Sequence, residues 1–124
     1  GLSYTQFTYS QPTVSATRIA EDESTRLSVT VTNSGDRDGD EVVQLYIRDN
    51  FSRVTRPVKE LKGFQRVHLK AKQSREIIFD ISPDTLAYYD LNMDWRVEPG
   101  DFTLMVGSSS RKRDLKEVTL TVKP

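Results

Sequence analysis

Asp36, Asp38 and Asp40 stand at alternate positions beside Gly35 and Gly39, and carboxylates so spaced are the ligand type that a hard cation such as calcium takes. The spacing does not complete a calcium loop of the EF-hand kind, which needs glycine directly after the third acidic position and a closing glutamate. Glu41 follows Asp40, and Ile47 stands where the closing ligand belongs. The run therefore reads as a solvated hairpin loop. His68 is the single histidine, and no GxSxG or HExxH motif supplies it with a nucleophile or zinc partners. Beside Lys70 in an alternating segment, it reads as an exposed strand residue. Eighteen Asp and Glu side chains in 124 residues make some carboxylate pair at glycosidase separation, about 5–10 Å, unavoidable, so such a pair identifies no acid and base.

Two basic stretches stand out. Arg111, Lys112 and Arg113 follow Ser108, Ser109 and Ser110 and precede Asp114, which predicts a solvated loop and not a phosphate cradle. Arg53, Arg56 and Lys59 are interleaved with Phe51, Val54, Pro57 and Val58, and arginine mixed with aromatic and aliphatic side chains is the composition of a protein contact. The same stretch also suits a cross-sandwich loop that plugs the core with Phe51 and Val58.

Eighteen basic side chains balance the eighteen acids, so the chain exerts no general pull on nucleic acid or acidic membranes, and no nucleic-acid or membrane partner is expected. No run of about 18 apolar residues predicts a membrane span. The absence of cysteine removes disulfides, thiolate metal sites and cysteine nucleophiles together. No cofactor or metal set is predicted.

The elements that carry these residues read as strands. Twelve Val, twelve Thr and five Ile join five Tyr, five Phe and one Trp, against four Ala, which suits pleated, half-buried surfaces and not helices. Leu27, Val29 and Val31 alternate with Ser28, Thr30 and Thr32; Val43, Leu45 and Ile47 with Gln44, Tyr46 and Arg48; Ile77, Phe79 and Ile81 with Glu76, Ile78 and Asp80; Phe102, Leu104 and Val106 with Thr103 and Met105; and Val118, Leu120 and Val122 with Thr119 and Thr121. Between Phe64 and Val67 the apolar parity changes, which predicts a bulge or a late start. Ser82-Pro83-Asp84-Thr85 predicts a tight or single helical turn before a short strand at Tyr88-Tyr89, whose neighbouring rings must face opposite ways. Pro99-Gly100 fits the centre of a type II turn. Seven or eight short strands without a helical period predict an all-β, antiparallel sandwich of immunoglobulin-like or fibronectin type III-like architecture, one domain over residues 1–124, with Trp95 and one tyrosine as large core pieces.

Several stretches carry a resemblance: Gly1-Leu2-Ser3-Tyr4-Thr5 with Phe7; Val31-Thr32-Asn33-Ser34-Gly35-Asp36-Arg37-Asp38-Gly39-Asp40-Glu41-Val42-Val43-Gln44-Leu45-Tyr46; Arg56-Pro57-Val58-Lys59-Glu60-Leu61-Lys62-Gly63-Phe64; and Glu98-Pro99-Gly100-Asp101-Phe102, ending in Val106-Gly107-Ser108-Ser109. In this order they resemble the fibronectin type III-like C-terminal domain of glycoside hydrolase family 3 enzymes, the β-glucosidases and β-xylosidases. The resemblance implies a piece of a larger enzyme, with residues 1–6 at the junction to an upstream catalytic domain. The catalytic residues are then expected upstream, none is assigned here, and a secreted or periplasmic setting is implied.

The expected role is a non-catalytic accessory module whose partners are the catalytic domains of the same polypeptide, with Tyr4, Phe51, Arg53, Arg56, Pro57 and Lys59 as the interdomain contact. A carbohydrate-binding module is the alternative, with polysaccharide as partner and Tyr46, one of Tyr88 and Tyr89, or Trp95 stacking on a sugar. Independent catalysis has no spacing in its favour.

Overall fold

The computed structural model describes residues 6–50, 59–89, 95–108 and 115–124. Strands follow one another as β1 (Phe7–Tyr9), β2 (Thr13–Val14), β3 (Arg18–Ile19), β4 (Thr25–Asn33), β5 (Gly39–Asp49), β6 (Glu60–Leu69) and β7 (Ser74–Ile81). A single helical turn, α1 (Pro83–Leu86), precedes β8 (Tyr88–Tyr89), β9 (Trp95–Arg96), β10 (Gly100–Gly107) and β11 (Leu115–Val122). Of the six strands of eight residues or more, all but β6 are the segments whose apolar residues alternate, one alternate set of each turning into the core.

Two sheets result. In the first, β4 is central, with β7 along one side and β1 and β2 in succession along the other. The second runs β3-β11-β10-β5-β6, and β8 and β9 form a small separate ribbon. Every pairing is antiparallel except β3 with β11, so the expected antiparallel sandwich holds with one parallel edge. Leu27, Val29, Val31, Ile77, Phe79 and Ile81 of the first sheet bury against Val43, Leu45, Ile47, Phe102, Leu104, Val106 and Leu120 of the second. Each of these side chains contributes about 1.5–3 kcal/mol by leaving water.

The predicted helical turn at Ser82–Thr85 forms. The Ser82 hydroxyl caps α1 by accepting from the Thr85 amide at 3.4 Å, and Thr85 Oγ1 accepts in return from the Ser82 amide at 3.3 Å. Gly100 takes φ 132°, a region that favours glycine.

Three readings change. The polar segment between β4 and β5 is not a hairpin loop, because the two strands lie in different sheets and the segment crosses from one to the other. The irregularity in β6 lies at Lys62: Leu45 is opposite Gly63, and Tyr46 is opposite Leu61. Phe64 thereby points to the outside, while Val67 and Leu69 point in, with no parity change between them. On β10, Thr103 and Met105 face outward as the alternation requires, yet both are buried.

Candidate interdomain surface

The acidic segment is occupied by donors from the protein itself. Asp40 and His68 are cross-strand partners on the outer face of the second sheet, with Asp40 Oδ1 2.6 Å from His68 Nδ1. Asp38 Oδ1 accepts from the Ala71 amide at 2.9 Å. Asp36 lies 3.5 Å from the Lys72 ammonium, which donates to the Ser34 carbonyl at 2.6 Å. Asp36 and Asp38 thus tie the β4–β5 crossover to the turn after β6, and Asp40 ties the start of β5 to β6. Among the described residues no group of three or more His, Cys, Asp or Glu side chains is placed to hold a metal ion. His68 is exposed, as its neighbours in sequence suggested.

Of the residues expected at an interdomain contact, Tyr4, Phe51, Arg53, Arg56 and Pro57 lie outside the described residues, and so does the basic run 111–113. Lys59 is described; it directly precedes β6 and is half-buried. Among the candidate sugar platforms, Tyr46 sits half-buried on the outer face of β5, and its hydroxyl donates to Gln44 Oε1 at 2.6 Å. The backbones of Tyr89 and Trp95 pair across the β8–β9 ribbon, but the side chains of Tyr88, Tyr89 and Trp95 fall outside the description.

The described surface has a different apolar focus. Its exposed large hydrophobic side chains are Leu61 at 52%, Phe64 at 67% and Ile78 at 42%. Leu61 and Phe64 stand on the outer face of β6 and Ile78 on the outer face of β7, strands that among the described residues each pair on one side only, β6 with β5 and β7 with β4. These two edges meet on the same flank of the sandwich. Gln65 Nε2 donates to the Ile78 carbonyl at 2.6 Å, and at Gly63 a side-chain carbon would lie 3.5 Å from the Phe79 ring. On the outer face of the second sheet Leu61 is opposite Tyr46, and Tyr46 is opposite Met105, so one apolar row runs from the exposed edge to the covered middle. Phe64 stands beside it, opposite Gln44.

The model of the fibronectin type III-like domain matches residues 41–110, which takes in the strands β5, β6, β7 and β10 that carry this surface. The chain belongs to that family. A β-xylosidase of Formosa agariphila is 47% identical to the fibronectin type III-like chain over 123 residues, which is 99% of this chain and 17% of the relative. A periplasmic β-glucosidase of Salmonella typhimurium is 38% identical, over 90% of this chain and 15% of its own length. The crystal structure of a family GH3 β-glucosidase from Bifidobacterium adolescentis superposes with a TM-score of 0.83 and 39% identity, covering 98% of this chain and 18% of that one. The fibronectin type III-like chain therefore spans less than a fifth of the family 3 glycosidases that it matches.

Leu61 and Ile78 were absent from the residues singled out by sequence, and their signals were of different kinds. Ile78 lies between two inward residues, Ile77 and Phe79, so alternation alone sends it outward, where a single isoleucine is ordinary on a sheet surface. Leu61 is turned outward by the register shift opposite Tyr46, and a bulge position cannot be placed from one strand's own sequence.

Proposed function

We propose that the chain is a non-catalytic accessory domain, residues 1–124, of a family 3 glycoside hydrolase of the β-glucosidase or β-xylosidase type, and that it stabilises or positions the catalytic domains of the same polypeptide. The supporting observation is the mismatch of lengths: 99% of this chain aligns with 17% of a β-xylosidase. The reading keeps the catalytic residues upstream and residues 1–6 as the junction. It also retains Tyr4, Phe51, Arg53, Arg56, Pro57 and Lys59 in the contact and places the parent enzyme outside the cytoplasm, as the name of the Salmonella relative has it. Contacts between domains of one chain bury roughly 600–1,500 Å² and accept polar and charged residues, so a mixed-charge surface suits the role.

The test removes these residues from the full-length enzyme and measures its melting temperature and its turnover of aryl β-glucosides and β-xylosides. A lower melting temperature or a lower rate is expected. If both stay at the full-length values, the chain is not an accessory domain in this sense.

A further inference from the structure

We infer that the outer face of β6, with Leu61 and Phe64 at its centre and Tyr46 of β5 beside Leu61, is a docking surface for another part of the same polypeptide. The inference rests on the accessory-domain reading and names the surface through which it works. Phe64 and Leu61 leave 67% and 52% of their surface in water although Val67 and Leu69, inward residues of the same strand, are buried, and both stand on the outer face of the second sheet, Leu61 opposite the half-buried Tyr46. Apolar side chains gathered in this way mark a contact and not random scatter. Arg66 lies two residues beyond Phe64 on the same outer face and is exposed, so the matching surface is aliphatic or aromatic with a carboxylate on its rim.

The occupant follows from chain length. Relatives that match nearly all of this chain extend well beyond it, the chain covering only 17% or 18% of them, so most of such a polypeptide is available as partner. A tethered surface is present at an effective concentration on the order of millimolar, which outcompetes a second copy of the chain in dilute solution.

In the full-length enzyme, a benzophenone amino acid placed at position 64, and separately at 61, is expected on irradiation to cross-link within one polypeptide to peptides outside residues 1–124. The same group at Thr119, exposed on the outer face of β11, is expected to do so several-fold less. The double variant Leu61→Ser, Phe64→Ser should lower the melting temperature of the full-length enzyme while its circular dichroism is unchanged, since neither side chain fills the core of the sandwich. Cross-links that join two polypeptides, or equal yields at 64 and 119, would overturn the inference. So would loss of retention on insoluble xylan or cellulose by the double variant without any intramolecular cross-link, which would make the patch a sugar platform. If deleting the whole domain destabilises the enzyme but position 64 gives no intramolecular cross-link, the accessory role stands and this surface falls. Should the cross-link form while deletion changes nothing, the surface stands and the accessory role falls.

Discussion

The Tyr9 hydroxyl donates a 3.0 Å hydrogen bond to Glu41 Oε2 across the two sheets of the sandwich. Glu41 occupies an inward position, two residues before Val43 and four before Leu45, where alternation would place an apolar side chain. Its second oxygen accepts from the Val42 amide at 3.0 Å, so both carboxylate oxygens have donors. Burial, and then the nearby Glu41 charge and hydrogen bond, push the Tyr9 phenol well above its ordinary value. Tyr9 therefore fastens the short strand β1, which pairs with β4 over only three residues.

Tyr9→Phe removes the donor and leaves a half-buried carboxylate oxygen short of a partner. A hydrogen bond to a charged group contributes about 1.5–3 kcal/mol, so a loss of roughly 1–2 kcal/mol is expected after partial access of water. The pH dependence has a definite sign. The folded phenol holds its proton more tightly than the unfolded one, so its contribution is complete below pH about 10 and is lost as the pH rises beyond that value. Melting curves of the two chains between pH 8 and 11 should start apart and converge; a gap that stays constant to pH 11 would contradict the assignment.

Asn33 organises the crossover that the sequence suggested was a solvated loop. It is fully buried, with Nδ2 donating to the Arg37 carbonyl at 2.7 Å and the Leu69 carbonyl at 3.2 Å, while Oδ1 accepts from the Gly35 amide at 3.0 Å. Asn33→Ala leaves three backbone groups without these partners and should cost about 2–4 kcal/mol. Asn33→Asp should be worse at pH 7, because it points a charged oxygen at carbonyls that need a donor. The introduced carboxyl regains a proton in acid, so the aspartate variant should gain on the alanine variant as the pH falls toward 4. Equal stability of the two variants at every pH, by chemical denaturation, would rule out this geometry.

Calcium should leave the chain unaffected. Asp38 already accepts from the Ala71 amide and Asp40 already faces His68, so binding a cation would break contacts that hold the crossover to the β6–β7 turn and the start of β5 to β6. Millimolar calcium and its removal by chelator are both expected to leave the melting temperature in place. Asp38→Ala should lower stability by about 1 kcal/mol with or without calcium, the contribution of one hydrogen bond to a charged group at an exposed site. A calcium-dependent rise that disappears in this variant would restore the metal reading.

What the sequence disclosed, and what it withheld, divides along the range of the forces involved. Period-2 alternation is local, and it located the inward set Leu27, Val29, Val31, Phe102, Leu104 and Val106 without knowledge of any partner strand. The single helical turn at Ser82–Thr85 was legible for the same reason. Sheet membership was not: a polar connection looks alike whether it closes a hairpin or crosses the sandwich, and only the pairing of β4 with β7 and of β5 with β6 and β10 decides it. The burial of Thr103 and Met105 is non-local too, since their strand is covered on its outer face as well as its inner one; Asn50 Nδ2 donating to Thr103 Oγ1 at 2.8 Å is part of that cover. The partners of the acidic run escaped the reading because Ala71 and His68 lie about thirty residues along the chain from Asp38 and Asp40.

Lys72 sets two small effects against each other. Its φ of 66° lies in the left-handed region, which costs a residue with a Cβ about 1–2 kcal/mol relative to glycine. Against this, its ammonium donates to the Ser34 carbonyl at 2.6 Å and lies 3.5 Å from Asp36, contacts of an exposed cation that contribute about 0–1 kcal/mol. Lys72→Ala keeps the backbone cost and gives up the contacts, so it should destabilise slightly. Lys72→Gly gives up the same contacts but relieves the backbone, so it should leave stability unchanged or raise it. The order glycine above alanine, read from urea unfolding midpoints, is the outcome that the turn geometry demands, and the reverse order would mean that the left-handed conformation at Lys72 is not the one that the folded chain adopts.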